Sequence, residues 1–254
     1  MFTGDHMKKF ILLSAVSLTF IGCATTEPSH TPHWGYTGHE GPEHWGNLSP
    51  EFTTCKSGKN QSPVDIDTAV KAQLTPLHFA YTAAPTEILN NGHTIQVNID
   101  SGSFIEVDGK RFALKQFHFH TPSENTVNGQ FYAMEGHFVH ADEAGNLAVI
   151  GVMFKEGAEN ASLARFWPQI PQTSGQQVSL QNTAQDYVEL LPASKEYYQF
   201  SGSLTTPPCS EGVRWYVLKQ PLSVSKAQVQ TFLDVLHHPN NRPVQALNAR
   251  TVLE

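Results

Sequence analysis

Apolar and polar positions alternate through the middle of the chain. The alternation predicts strands over 93–100, 104–107, 111–120, 130–140, 147–154 and 213–218, separated by clusters of Gly, Asn, Asp and Pro. Asp108-Gly109 and Asn128-Gly129 have the form of tight hairpin turns, so the strands beside them should run antiparallel. Near the C-terminus the period changes. Val229, Phe232, Leu233 and Leu236 form a helical stripe behind Ser225, a good N-cap. A shorter helix is expected over 163–167. No composition break, repeat or low-complexity linker interrupts the chain beyond about residue 31, which favours one β-dominated domain with peripheral helices.

The segment Gln116-Phe117-His118-Phe119-His120 is unusual for a buried strand. Alternation sends Gln116, His118 and His120 to one face, and Phe117 and Phe119 to the other. In the next strand Glu135, His137 and Val139 share a face, whereas His140 has the opposite parity. Antiparallel pairing through the Asn128-Gly129 region can bring His137 opposite the first two. Three neutral imidazoles on rigid strands, with one coordination position open, form a catalytic zinc arrangement. Imidazole donors without a thiolate nearby suit zinc better than metals of softer sites. Gln116 and Glu135 lie one same-face step from the histidines, where they can hold the second ring nitrogens.

For His118 and His120 alone, the polar outer face of an antiparallel sheet is the simpler reading. His137 and its flanking groups tip the balance toward a metal. The run His118-x-His120-x3-Glu124 also has the form of a cupin metal site. That motif needs glycine where Phe112 stands, and a Pro-x-Gly-x-x-His element that His137 lacks.

At 254 residues the chain suits one substantial domain, and its net charge of -7 gives no basic footprint for nucleic acid. Lys8 and Lys9 precede an apolar run over 10–22, too short to span a bilayer but right for a signal-peptide core. The run ends in Phe20-Ile21-Gly22-Cys23, which resembles a bacterial lipobox that would leave Cys23 lipidated. Ordinary cleavage near Ala24 and a buried N-terminal helix are the alternatives. The expected organisation is a signal and lipobox region over 1–23, a flexible tether over 24–32 and a folded domain over 33–254. The expected location is periplasmic, with anchoring to a membrane through Cys23. If Cys23 is acylated, Cys55 and Cys209 remain as a pair in an oxidising compartment; two buried free thiols are the alternative.

Further segments fall in a recognisable order: HWGY at 33–36, GPEHW at 41–45, NQSPVDI at 60–66, NNGH at 90–93, SLTTPP at 203–208 and NNRPVQ at 240–245. Together with QFHFH and EGHFVH they resemble the α-class carbonic anhydrases, bacterial type, over nearly the whole length beyond the tether. The resemblance implies a mainly β, single-domain fold with a large, twisted, mostly antiparallel sheet of about ten strands and short peripheral helices. It implies Zn2+ held by His118, His120 and His137, and reversible hydration of carbon dioxide to bicarbonate and a proton. Zinc hydroxide would attack, and a histidine would shuttle the proton.

Residue by residue, the resemblance makes Thr205 accept a hydrogen bond from the hydroxide and donate one to Glu124, with Thr206 adjacent. It makes His93 the proton shuttle, a role suited to an unperturbed pKa of about 6.5. Val139, Val149, Leu204, Val213 and Trp215 become the apolar pocket for CO2. Asn240 joins Gln116 and Glu135 behind the ligands, and Cys55 pairs with Cys209. Cis peptide bonds are implied before Pro63 and Pro208. Two departures stand out: Asn125 occupies a position where many relatives carry His, and the connection from His120 to His137 is short. The implied partner is a small-molecule substrate, CO2 or bicarbonate, with a lipid anchor and a homodimer as open options. The competing class is a non-catalytic binding module of the same fold. Such modules typically lose a zinc histidine, whereas this chain keeps all three.

Overall fold

Alternating segments pair into a mixed sheet of 12 strands, larger than the ten expected, beside a separate two-stranded sheet. The structure is a computed structural model and describes Met1 and residues 33–254. Cys23, the lipobox and the tether lie outside the described residues. The strands in chain order begin with β1 (Asp65–Ile66), β2 (Ala69–Val70), β3 (His78–Ala80), β4 (Pro85–Asn90), β5 (Ile95–Ile99), β6 (Phe104–Val107) and β7 (Lys110–His120). They continue with β8 (Thr126–Val127), β9 (Met134–Ala141), β10 (Leu147–Glu156), β11 (Gln177–Ser179), β12 (Tyr197–Ser203), β13 (Glu211–Val224) and β14 (Val252–Leu253). The main path across the large sheet is β11-β4-β5-β7-β9-β10-β13-β12-β14-β2, and β3 and β6 extend it alongside β7. Pairing in this sheet is antiparallel except for β10 with β13 and β14 with β2.

The expected hairpins need one correction. Asp108 and Gly109, both at positive φ, do join β6 to β7. Asn128 and Gly129 also turn with positive φ, but they close only the small bridge between Val127 and Gln130. Residues 130–133 are therefore loop, and β9 starts at Met134 rather than at Gln130. The loop is held by Ser123, whose Oγ accepts from Tyr132 N at 2.9 Å. β13 runs well past the expected 213–218, through Pro221. Its register against β10 shifts between Val152 and Phe154, which lets the proline pass without a ladder bond.

Helices are short: α1 (Trp45–Leu48), α2 (Thr54–Ser57), α3 (Ala161–Phe166), α4 (Ala184–Val188) and α5 (Lys226–Leu236). Among the described residues none is long and apolar enough to cross a membrane. Helix α5 begins as expected: Ser225 Oγ accepts from Gln228 N, and Gln228 Oε1 accepts from Ser225 N. His237 closes α5 at φ 65. Cis bonds precede Pro63 and Pro208 as expected, and Pro122 as well.

The two faces of β7 and β9 bury different chemistry. Phe117, Phe119 and Phe138 enter the main core with Ile150, Phe166 and Tyr187. Phe117 stacks on Phe138 at 5.2 Å and meets Phe119 edge-on at 5.7 Å. Val149, Val213, Trp215 and Val217 form a second cluster, with Val139 and Leu204 packed against it.

His140 has the parity of the phenylalanines and is fully buried. Its Nδ1 donates to Ala148 O at 3.2 Å, so Nε2 accepts from the Tyr81 hydroxyl at 2.7 Å. Burial pushes its pKa down to about 3, against the bonds to Ala148 and Phe138. The folded state therefore lacks a proton that the unfolded chain takes up below about 6.5, so His140 makes stability fall as pH drops from 6.5 toward 3. Urea unfolding of wild type and His140→Asn at pH 7.5 and pH 5.0 tests this. Wild type should lose about 2 kcal/mol more than the variant over that interval; parallel losses would remove His140 as the cause.

Candidate active site

Register brings the three histidines together. β7 and β9 pair with His118 opposite His137, and His120 follows two positions later on the same face. The ring centroids lie 5.1 Å apart for His118–His120, 5.3 Å for His118–His137 and 4.6 Å for His120–His137. One nitrogen from each falls within 4.8 Å of the others, and these are the residues of the described chain that could hold a metal ion.

The outer hydrogen bonds decide which nitrogen faces inward. His118 Nδ1 donates to Gln116 Oε1 at 2.8 Å. His120 Nδ1 donates to the backbone carbonyl of Asn240 at 2.7 Å. His137 Nε2 lies 3.0 Å from Glu135 Oε1, close but not aligned as a hydrogen bond. Nε2 of His118, Nε2 of His120 and Nδ1 of His137 are left to converge. His120 Nε2 is buried without any hydrogen-bond partner, a costly state that a cation would relieve.

Protonation points the same way. Burial, then the neighbouring rings, hold His118 well below the usual histidine range. Burial and His120 do the same to His137. His120 is lowered to about 4 by burial, against the Asn240 carbonyl and the Glu135 charge. All three are therefore neutral at pH 7, the state in which imidazole binds a metal. The residues fit a zinc ion: three neutral nitrogen donors, with His118 and His120 oriented from behind by hydrogen bonds and Glu135 standing 3.0 Å behind His137.

Two buried carboxylates stand behind the rings. Glu135 Oε2 accepts from Glu124 N at 2.9 Å and Asn125 N at 2.8 Å, and Oε1 accepts from Asn125 Nδ2 at 2.7 Å. Asn125, the departure from the family pattern, thus bonds to Glu135, and its Oδ1 accepts from Val64 N at 3.0 Å. Gly151 sits opposite His137, and a side chain there would meet Glu135 Oε1 at 3.0 Å. Glu124 Oε1 accepts from Arg242 N at 2.8 Å, and Oε2 lies 3.5 Å from His120 Nε2. Burial pushes Glu124 up to about 8, opposed by the Thr205 hydroxyl beside it and by Arg242.

The predicted pocket residues share one apolar cluster that reaches this centre through Trp215. Trp215 meets His137 edge-on at 4.9 Å, and Val139, Val149, Leu204 and Val213 belong with it to one apolar cluster. Thr205 is buried and Thr206 half-buried in the turn before Cys209. Cys209 is bonded to Cys55 with Cα atoms 5.0 Å apart, across 154 residues. In the chain-entropy account so long a loop contributes about 4–5 kcal/mol. A bridge of this kind fits an oxidising compartment.

His93 lies on the loop before β5, and its ring stacks on Trp34 at 3.7 Å with 7° between planes. Burial lowers its pKa, followed by the charges of His33 and His238. The roles of Trp34 and Arg242 were hidden in the sequence, although Trp34 stands in HWGY and Arg242 in NNRPVQ. Tyr36 was hidden too; burial and the Glu124 charge raise its pKa well above the usual tyrosine value.

The family model of eukaryotic-type carbonic anhydrases matches residues 40–254. The chain belongs to this family, the α-carbonic anhydrases. It is 49% identical to a carbonic anhydrase of Pectobacterium atrosepticum over 94% of this chain and 98% of that one. In structure it is similar to the α-carbonic anhydrase of Thermovibrio ammonificans, solved with the inhibitor sulfanilamide. That match has a TM-score of 0.86 and 53% identity, covering 89% of this chain and 100% of the other. It is also similar to dioscorin, solved with ascorbate, with a TM-score of 0.82, 30% identity and coverage of 87% and 97%. Members named carbonic anhydrase are lyases acting on carbon dioxide and bicarbonate, and this chain is an enzyme of that class.

Proposed function

We propose that the chain hydrates carbon dioxide reversibly to bicarbonate and a proton, with zinc held by His118, His120 and His137. The observation that carries this reading is the convergence of three neutral imidazoles next to an apolar wall. When bound, zinc supplies Lewis acidity that brings the pKa of water from about 15.7 to near 7.

The remaining work falls to the protein. Gln116, Asn240 and Glu135 fix the ring orientations. Burial alone favours a protonated Glu124, and the positive charge of a metal held by the adjacent histidines would favour its ionised form. Once ionised, Glu124 can only accept, so the Thr205 hydroxyl donates to it and presents its own lone pairs as acceptor toward the attacking oxygen. That fixes the direction of attack, a positioning effect. Val139, Val149, Leu204, Val213 and Trp215 hold the substrate, which has no charge to grip, and Thr206 borders them. His93 takes the released proton and passes it to solvent, with its ring steadied on Trp34. The segment over 1–23 directs export, the tether over 24–32 follows it, and Cys23 carries a lipid that anchors the domain over 33–254 to a membrane.

Stopped-flow CO2 hydration by the zinc-loaded chain should be fast, and should vanish when a chelator removes the metal. Zinc-loaded protein without activity would overturn the reading. His93→Ala should lower kcat at neutral pH roughly 10-fold or more while sparing kcat/KM, with recovery as imidazole buffer is added; a kcat unchanged across buffer concentrations would exclude His93 as the shuttle. Radiolabelled palmitate should be incorporated in bacterial cells by the wild type and not by Cys23→Ser, and equal labelling of both would exclude the anchor.

A further inference from the structure

Arg242 lies in an irregular segment, yet it is 2% exposed. Its guanidinium bonds go to neutral acceptors: Nη1 donates to Gln61 Oε1 at 2.9 Å and Ser62 O at 2.8 Å, and Nη2 to Cys55 O at 2.9 Å. Its charge also sits 5.6 Å over the Trp45 ring. A buried cation with no carboxylate on its fork is expensive for stability alone.

The acceptors explain the placement. Gln61 Nε2 donates to Cys209 O at 3.0 Å. Ser62 N donates to Ser203 Oγ at 2.9 Å, and Ser203 N donates to Ser62 Oγ at 3.1 Å. Ser203 and Cys209 are the two ends of the loop that carries Thr205. The guanidinium therefore holds, through Gln61 and Ser62, both ends of that loop. The backbone N–H of the same residue holds Glu124 Oε1 at 2.8 Å.

We propose that Arg242 is a positioning residue for the reaction, its side chain and amide together setting the Thr205 hydroxyl against the Glu124 carboxylate. The inference rests on the functional reading above and deepens it. Arg242 acts on the pair rather than on the metal, because Asn240 is fastened independently. Asn240 Oδ1 accepts from Thr121 N at 2.9 Å, and Nδ2 donates to His93 O at 3.0 Å and Phe119 O at 2.9 Å.

Arg242→Lys keeps the charge and loses the planar fork. It should retain stoichiometric zinc and lower kcat/KM for CO2 roughly 10- to 100-fold, more than it lowers kcat. In a Thr205→Ala background the same change should cost less than about 2-fold, since the pair it serves is already broken. Equal losses in both backgrounds, or losses that track zinc content, would reduce Arg242 to a structural part and overturn the proposal. Amide exchange in zinc-loaded protein gives a readout independent of turnover. Arg242→Gln, or the Lys variant if Gln fails to fold, should speed exchange at the residue-242 and Cys209 amides roughly 10-fold and leave β9 and β10 unchanged. Unaltered exchange at both amides would overturn the proposal. A wild type that binds zinc but hydrates no CO2 would fail the functional reading, and exchange at these amides would then decide the role of Arg242 on its own.

Discussion

The pairing of β7 with β9 sets His118 opposite His137 and Phe117 opposite Phe138, and every group of the site is placed relative to that register. A slip of one residue would turn the histidines into the main core and the phenylalanines into the site. The register is enforced by side chains from the opposite face to the three histidines. Phe117, Phe119 and Phe138 are each at most 1% exposed, and burying a ring of that kind contributes about 1.5–3 kcal/mol. The next pairing extends the same logic. Val149 stands opposite Val139, and Gly151 opposite His137, so β10 adds Val149 to the apolar wall and leaves room for Glu135.

Holding three imidazoles, two carboxylates and a guanidinium out of water would be ruinous without partners. Strand backbones supply few of them, because most of their amides and carbonyls are used in ladders. Beyond the Gln116 side chain on β7, the partners come from irregular segments: the amides of Glu124 and Asn125, the carbonyl of Asn240, the amide of Arg242. His140 is the instructive contrast. It sits on the same strand as His137, but Tyr81 and Ala148 satisfy both of its nitrogens, leaving nothing to offer a ligand. Burial lowers the pKa of both; only the inward nitrogen of His137 remains free for chemistry.

What could be read from the chain was the part governed by local period. Alternation separated His118, His120 and His137 from Phe117, Phe119 and His140, and Ser225 marked the start of α5. Segments such as Pro85–Asn90 and Tyr197–Ser203 carry no such signal because tertiary pairing, rather than a clear alternating pattern, makes them strands. The parallel pairing of β10 with β13 was equally hidden. It joins segments separated by α3, β11, α4 and β12, and no turn residue announces it. The contacts that finish the site have still longer reach: Arg242 N meets Glu124 across 118 residues and its side chain meets Cys55 across 187. A motif could mark those residues as important without saying what they touch.

The stack of His93 on Trp34 shows why such long-range closure matters for the proposed chemistry. A proton carrier must be held near the site and yet exchange with solvent, so neither full burial nor full exposure serves. His93 is half-buried, with one ring face against Trp34. Its lowered pKa leaves it neutral at pH 7 and therefore ready to accept, while a weaker base also gives the proton up more readily. Trp34 is in turn packed edge-on against Trp45 at 5.2 Å, and Trp45 lies beneath the Arg242 charge. The N-terminal segment that supports the proposed shuttle and the C-terminal segment that braces Glu124 thus lean on one tryptophan. Loosening either of these segments would reach both the proposed proton path and the proposed Thr205–Glu124 pair, although neither segment contributes one of the three converging histidines.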